Sequence, residues 1–161
     1  MKPSTPLRAV AILMAVGDIG HTSGVLRTIP RSLAEGGLLA PLQNFHIITM
    51  GTSRTHWDFY VGFGLSVTFQ FLAVAGLAWL TANLADTEPQ RAKPFIWLML
   101  AAQSAGLVIA YVYFFAAPLV MTLLTMICLV WSLVQLRMIG SAASGTREVR
   151  DGRSATGLDA A

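Results

Sequence analysis

Charge is scarce in this sequence: Asp, Glu, Lys and Arg together make 12% of its 161 residues, where ordinary soluble domains carry about 25%. Hydrophobic residues make 55%, which puts the chain in the membrane class before any motif is read. There is one cysteine, Cys128, inside the last apolar run, so an intrachain disulfide is excluded and the redox compartment stays open. Its expected role is that of a small hydrophobe in a packed helix. CxxCH, Walker, GxGxxG, GxSxG and HExxH sequences are all missing, which excludes the readily recognised chemistries but not catalysis itself. No internal repeat is present.

Apolar runs are what the chain does have. A crossing of a ~30 Å hydrocarbon core needs roughly 20 apolar residues, so this length holds about four crossings and no separate soluble domain. The expected fold is therefore all-α: a transmembrane four-helix bundle, up-down-up-down, in a domain over 1–139. Its spans are read at about 7–26, 56–80, 95–115 and 118–136. The first stops at Arg27, Pro30 and Arg31; because Ala15-Val16-Gly17 follows a basic start, it also reads as a cleaved signal peptide. Thr55 is placed to cap the second span, with Asp58 in its first turn, where negative charge suits the helix dipole. A polar stretch from Asn83 to Pro94 ends it. Spans three and four, as one helix, would reach about 60 Å, so a hairpin at Ala116-Ala117 is required, with Pro118 in the next first turn.

An even number of crossings leaves the N-terminus, the 81–94 loop and the tail on one side. That side holds Lys2, Arg8, Arg91, Lys93, Arg137, Arg147, Arg150 and Arg153; the 27–55 loop holds Arg27, Arg31 and Arg54. The excess makes the first side cytoplasmic, N-in and C-in. The net charge of +3 does not point to nucleic acid, because the basic residues sit singly at the ends of apolar runs, as in membrane anchoring. The tail, 140–161, is rich in Ser, Ala, Gly and alternating charge and is expected to be a disordered cytoplasmic extension.

Asp18 and His21 lie inside the first span, three positions apart and so on one helical face. Ionisable groups at that depth, roughly 15 and 20 Å from the cytoplasmic end, are costly and are expected to face the bundle or a wet cavity. One reading is structural: they hydrogen-bond each other and a neighbouring helix, with Gly20-xxx-Gly24 permitting close approach. The other is that they mark a ligand or proton pathway. A second polar group, Ser53, Arg54, His56, Asp58 and Tyr60, opens span two beside Trp57, although Trp57, Tyr60 and Arg54 also suit plain interfacial anchoring.

Depth makes these groups neighbours. Asp18, His21, Arg54, His56, Asp58, Tyr111 and Tyr113 are the candidate ligand-binding residues, around one cavity open to the extracytoplasmic side, with Gln70 and Gln103 deeper. His21, His46 and His56 admit a haem reading, His21 with His56 being the only pair of matching depth; none forms the short-range pairs of a zinc site, so no metal and no cofactor is assigned. Gly62-Phe63-Gly64 suits close helix packing. The apolar patch at Phe45, Ile47 and Ile48 suits a cover on the outer surface, or a lid.

The stretches His21-Thr22-Ser23-Gly24, Gly51 to Gly64 (GTSRTHWDFYVGFG) and Tyr113-Phe114-Phe115-Ala116-Ala117-Pro118 resemble those of an uncharacterised family of small bacterial four-helix integral membrane proteins. The resemblance covers the four spans and implies a bacterial inner-membrane location without supplying an activity. In architecture alone the chain is also similar to DoxX-like proteins and to the sterol isomerase and sigma-two receptor family, and none of the latter family's catalytic acids is carried over to a residue of this sequence.

Three kinds of function fit. A binding module would hold an apolar small molecule, a lipid or another membrane protein in the outer cavity. An enzyme, isomerase-like or oxidoreductase-like, would use His21 as acid or base, oriented by Asp18. A proton-coupled transporter would relay protons through the same pair, in an oligomer.

Overall fold

The computed structural model describes the backbone of residues 2–156 and the side chains of residues 2–139. It is helical, with five helices and one short ribbon among the described residues: α1 (Ser4–Val25), α2 (Leu33–Asn44), β1 (His46–Thr49), β2 (Thr52–Thr55), α3 (His56–Thr87), α4 (Pro89–Tyr113) and α5 (Ala116–Thr156). Three of them are long and apolar enough to cross a membrane: α3, α4 and the Ala116–Ile139 part of α5. At 1.5 Å per residue even the shortest of these segments, 24 residues, reaches about 36 Å, beyond the ~30 Å core. Most of their large side chains are exposed, among them Phe63, Phe69, Trp97, Val108, Ile127 and Trp131. A water-soluble chain does not carry that much contiguous apolar surface. The chain is a membrane protein.

α1 does not belong to that set, because Arg8, Asp18 and His21 lower its hydropathy. The 81–94 loop expected between spans two and three is also corrected. Polar residues end the apolar run there but not the helices: α3 continues to Thr87 and α4 starts at Pro89, so Glu88 alone connects them. Its N–H donates to the Leu84 carbonyl at 2.7 Å, its carbonyl accepts from the Arg91 N–H at 2.9 Å, and its carboxylate pairs with the Arg91 guanidinium at 2.8 Å. Pro89, with no N–H to leave unsatisfied, suits the first helical position. The turn between α4 and α5 falls at Phe114-Phe115, two residues before the expected Ala116-Ala117, and Pro118 does stand in the first turn of α5. The helical backbone of α5 also continues through the first part of the segment expected to be a disordered tail. Extending a formed helix costs far less than nucleating one. Residues 157–161 and the side chains from 140 onward lie outside the described residues.

The chain divides into two compact units, residues 1–12 with 76–161, and residues 13–75. In the first, α4 and α5 form a hairpin, and its buried apolar side chains include Leu7, Val10, Ala78, Ala82, Ala92, Ile96, Leu129 and Leu136. Buried Ser132 donates to the Pro3 carbonyl at 3.0 Å. Arg8 lies 3.8 Å from Asp86, with its guanidinium over the Trp79 ring. The second unit contains the rest of α1, α2, the ribbon and the first five turns of α3.

Candidate functional site

Within the second unit the 27–55 segment is structured by local sequence. Ser32 caps α2 by accepting the Glu35 N–H at 3.1 Å, and the Glu35 carboxylate accepts the Arg31 N–H, so the helix start is closed from both sides. Then comes the ribbon, its strands antiparallel with His46 opposite Thr55 and Thr49 opposite Thr52. Met50 and Gly51 turn it with both φ angles positive, +51° and +78°, the two-residue geometry that matches strand twist. β2 runs straight into α3, where Thr55 caps the helix as expected and Asp58, expected only to suit the dipole, completes a capping box: the Thr55 N–H donates to Asp58 Oδ2 at 2.8 Å, and the Asp58 N–H donates to Thr55 Oγ1 at 3.0 Å.

These elements border an open cleft of about 440 Å3, lined by Gly24 of α1, Arg27 and Arg31 past its end, Glu35, Leu39 and Leu42 of α2, and His56, Trp57 and Tyr60 of α3. Trp57 and Tyr60 pack ring to ring, centroids 5.2 Å apart. His56 stacks on Phe45 at 6.3 Å, the planes nearly parallel. The lining therefore combines aromatic and aliphatic side chains with two arginines and one carboxylate. Volume and lining fit a small amphipathic molecule.

Asp18 and His21 sit apart from the cleft lining and serve the joint between α1 and α3. His21 Nε2 donates to the Gly64 carbonyl at 3.0 Å, which requires the ring proton on Nε2, and the imidazole meets Phe71 edge-on at 5.6 Å. Asp18 is buried and accepts from Thr22 at 3.4 Å, while Thr22 and Thr68 share a 2.7 Å hydroxyl pair. One proton per hydroxyl orders the chain: Thr68 donates to Thr22, and Thr22 to Asp18. Gly64 lets this joint close, since a Cβ there would overlap both γ carbons of Val25. The close approach expected at Gly20 and Gly24 falls here instead, for a Cβ at either would meet nothing within 4 Å.

Of the seven candidate ligand-binding residues His56 alone lines the cleft, with Trp57 and Tyr60 of the same polar segment beside it. Asp58 is spent on the cap. Arg54 is exposed on β2 and donates to the neighbouring Ser53 carbonyl at 2.9 Å. Tyr111 and Tyr113 belong to the other unit, exposed near the end of α4, as does Gln103; Gln70 is exposed on α3. The residues missed are Arg27, Arg31, Glu35, Leu39 and Leu42. Their signal was Ser32-x-x-Glu35, a helix-start signature, which would have turned a loop into a wall. Compared with protein-family models, curated proteins and solved structures, the chain matches none.

Proposed function

We propose that this is a multi-pass protein of a bacterial inner membrane that binds a small amphipathic molecule at its extracytoplasmic end. α1 serves as a fourth crossing: its 22 residues span about 33 Å, and hydrogen bonding of Asp18 and His21 inside the protein offsets much of the cost of their depth. The charge asymmetry supports cytoplasmic termini. One observation carries the binding reading, the cleft whose lining combines Trp57 and Tyr60, Leu39 and Leu42, and the arginines Arg27 and Arg31. The acid–base reading has less support, since His21 and Asp18 are each held by partners other than one another.

The test is chemical. Wild-type protein and Leu39→Trp, whose bulkier indole narrows the cleft, are purified from membranes in a mild detergent, and their lipophilic contents are extracted and quantified by mass spectrometry. The wild type is expected to carry an amphiphile that Leu39→Trp lacks, with both eluting alike on size exclusion. Equal contents in the two proteins would refute the reading.

A further inference from the structure

Three carboxylates and three guanidinium groups occur in residues 13–75: Asp18, Glu35 and Asp58, and Arg27, Arg31 and Arg54. Six opposite charges in 63 residues would ordinarily pair, yet no ion pair joins them among the described residues. Every carboxylate is engaged by an uncharged donor instead: Asp18 by the Thr22 hydroxyl, Glu35 by the Arg31 backbone N–H, Asp58 by the Thr55 backbone N–H. Among the described residues, none of these three arginine side chains stands within ion-pair distance of a carboxylate, and in the cleft lining Arg27 and Arg31 outnumber the single carboxylate, Glu35. Arg27 spends Nε and one terminal nitrogen on the Ile29 carbonyl, at 3.2 and 3.1 Å, which orients the guanidinium and leaves other N–H groups to donate. Arg31 uses its backbone, not its side chain, to hold Glu35. Both line the cleft together with the aromatic Trp57 and Tyr60 and the aliphatic Leu39 and Leu42.

We infer that the ligand of this cleft carries an oxyanion, a phosphate or carboxylate, at the end of an apolar chain. The inference rests on the binding reading above and names the class of molecule. Guanidinium groups present N–H forks that match the oxygens of such anions, and Trp57, Tyr60, Leu39 and Leu42 offer the chain an apolar bed. The topology adds a second argument. The extracytoplasmic side is the side on which arginine is disfavoured; this chain puts only three there, and two of them line one cleft.

The full-length protein in a neutral maltoside is titrated by calorimetry with dodecyl phosphate, dodecanol and inorganic phosphate. Dodecyl phosphate is expected to bind saturably, and the other two about tenfold or more weakly, the scale of a lost charge-assisted hydrogen bond. Arg31→Gln should weaken dodecyl phosphate by a similar factor and leave dodecanol unchanged. Arg54→Gln, which removes the same charge outside the cleft lining, should change neither. Equal binding of dodecanol and dodecyl phosphate, indifferent to Arg31→Gln, overturns the oxyanion while the cleft reading stands. Inorganic phosphate binding as tightly as dodecyl phosphate overturns the apolar chain. An Arg54→Gln loss equal to that of Arg31→Gln reduces the effect to bulk charge and overturns the site. If neither dodecyl compound binds, both the inference and the binding reading fall.

Discussion

Replacing Gly64 by alanine adds one methyl group, and the structure makes that methyl expensive. Its carbon would overlap both γ carbons of Val25, whereas the same change at Gly62, half a turn earlier on α3, meets nothing within 4 Å. The pair is informative because the intrinsic gain of Ala over Gly in a helix, about 1 kcal/mol, applies to both and cancels. What remains is overpacking, about 1–3 kcal/mol. To it is added the His21–Gly64 hydrogen bond, lost as α1 is pushed away and worth about 0.6 kcal/mol between membrane helices. Gly64→Ala should therefore be less stable than Gly62→Ala by about 1.5–3.5 kcal/mol. The assay is reversible unfolding by dodecyl sulfate in mixed micelles, followed by circular dichroism. Val25→Ala removes the obstructing carbons, so the double variant Val25→Ala/Gly64→Ala should recover at least about 1 kcal/mol relative to the sum of the single changes. A difference below about 0.5 kcal/mol between the two glycine variants, or strict additivity in the double, would refute the packing of α1 on α3 described here.

Asp58→Ala should cost about 1 kcal/mol in the same unfolding experiment, because the N–H of Thr55 loses its acceptor. Thr55→Val should cost a similar amount, and the double variant less than the sum, since one reciprocal cap is removed. For topology, Cys128→Ser supplies a cysteine-free background. A membrane-impermeant maleimide should then label Met50→Cys in intact spheroplasts but reach Thr87→Cys only after lysis, and the reverse pattern would invert the proposed orientation.

The long helices were legible because their apolar runs exceed what a core helix needs, and the cap of α3 because Thr55 and Asp58 stand three apart. Their ends were not, because hydropathy reports where lipid stops, whereas the helix stops where hydrogen bonding does: Asn83 and Asp86 are polar and still helical. The ribbon was hidden by its turn. Two-residue turns with positive φ favour Asn or Asp before Gly, and Met50 gives no such cue. Asp18 and His21 drew attention as ionisable groups in an apolar run; the four-residue spacing of Asp18 and Thr22 was legible as one helical face, but no rule of spacing pairs His21 with Gly64 or Thr22 with Thr68. The cleft arginines were overlooked for the opposite reason. At the end of an apolar run an arginine reads as a stop signal, and only the fold of α2 beside it turns the stop into a lining.

The ribbon of β1 and β2 also bears on how this chain behaves in a crowded membrane. A two-stranded ribbon has outer edges with backbone groups available to another strand, and such edges invite neighbouring copies to pair. Here each strand is four residues long, and β2 approaches α2 on its way to α3. An added strand would gain only a few backbone hydrogen bonds while ordering an equal number of residues, each costing roughly 1–2 kcal/mol. Shortness is thus a safeguard, and lengthening the ribbon by a pair of residues on either side of Met50-Gly51 would be the simplest way to make the copies of this protein adhere.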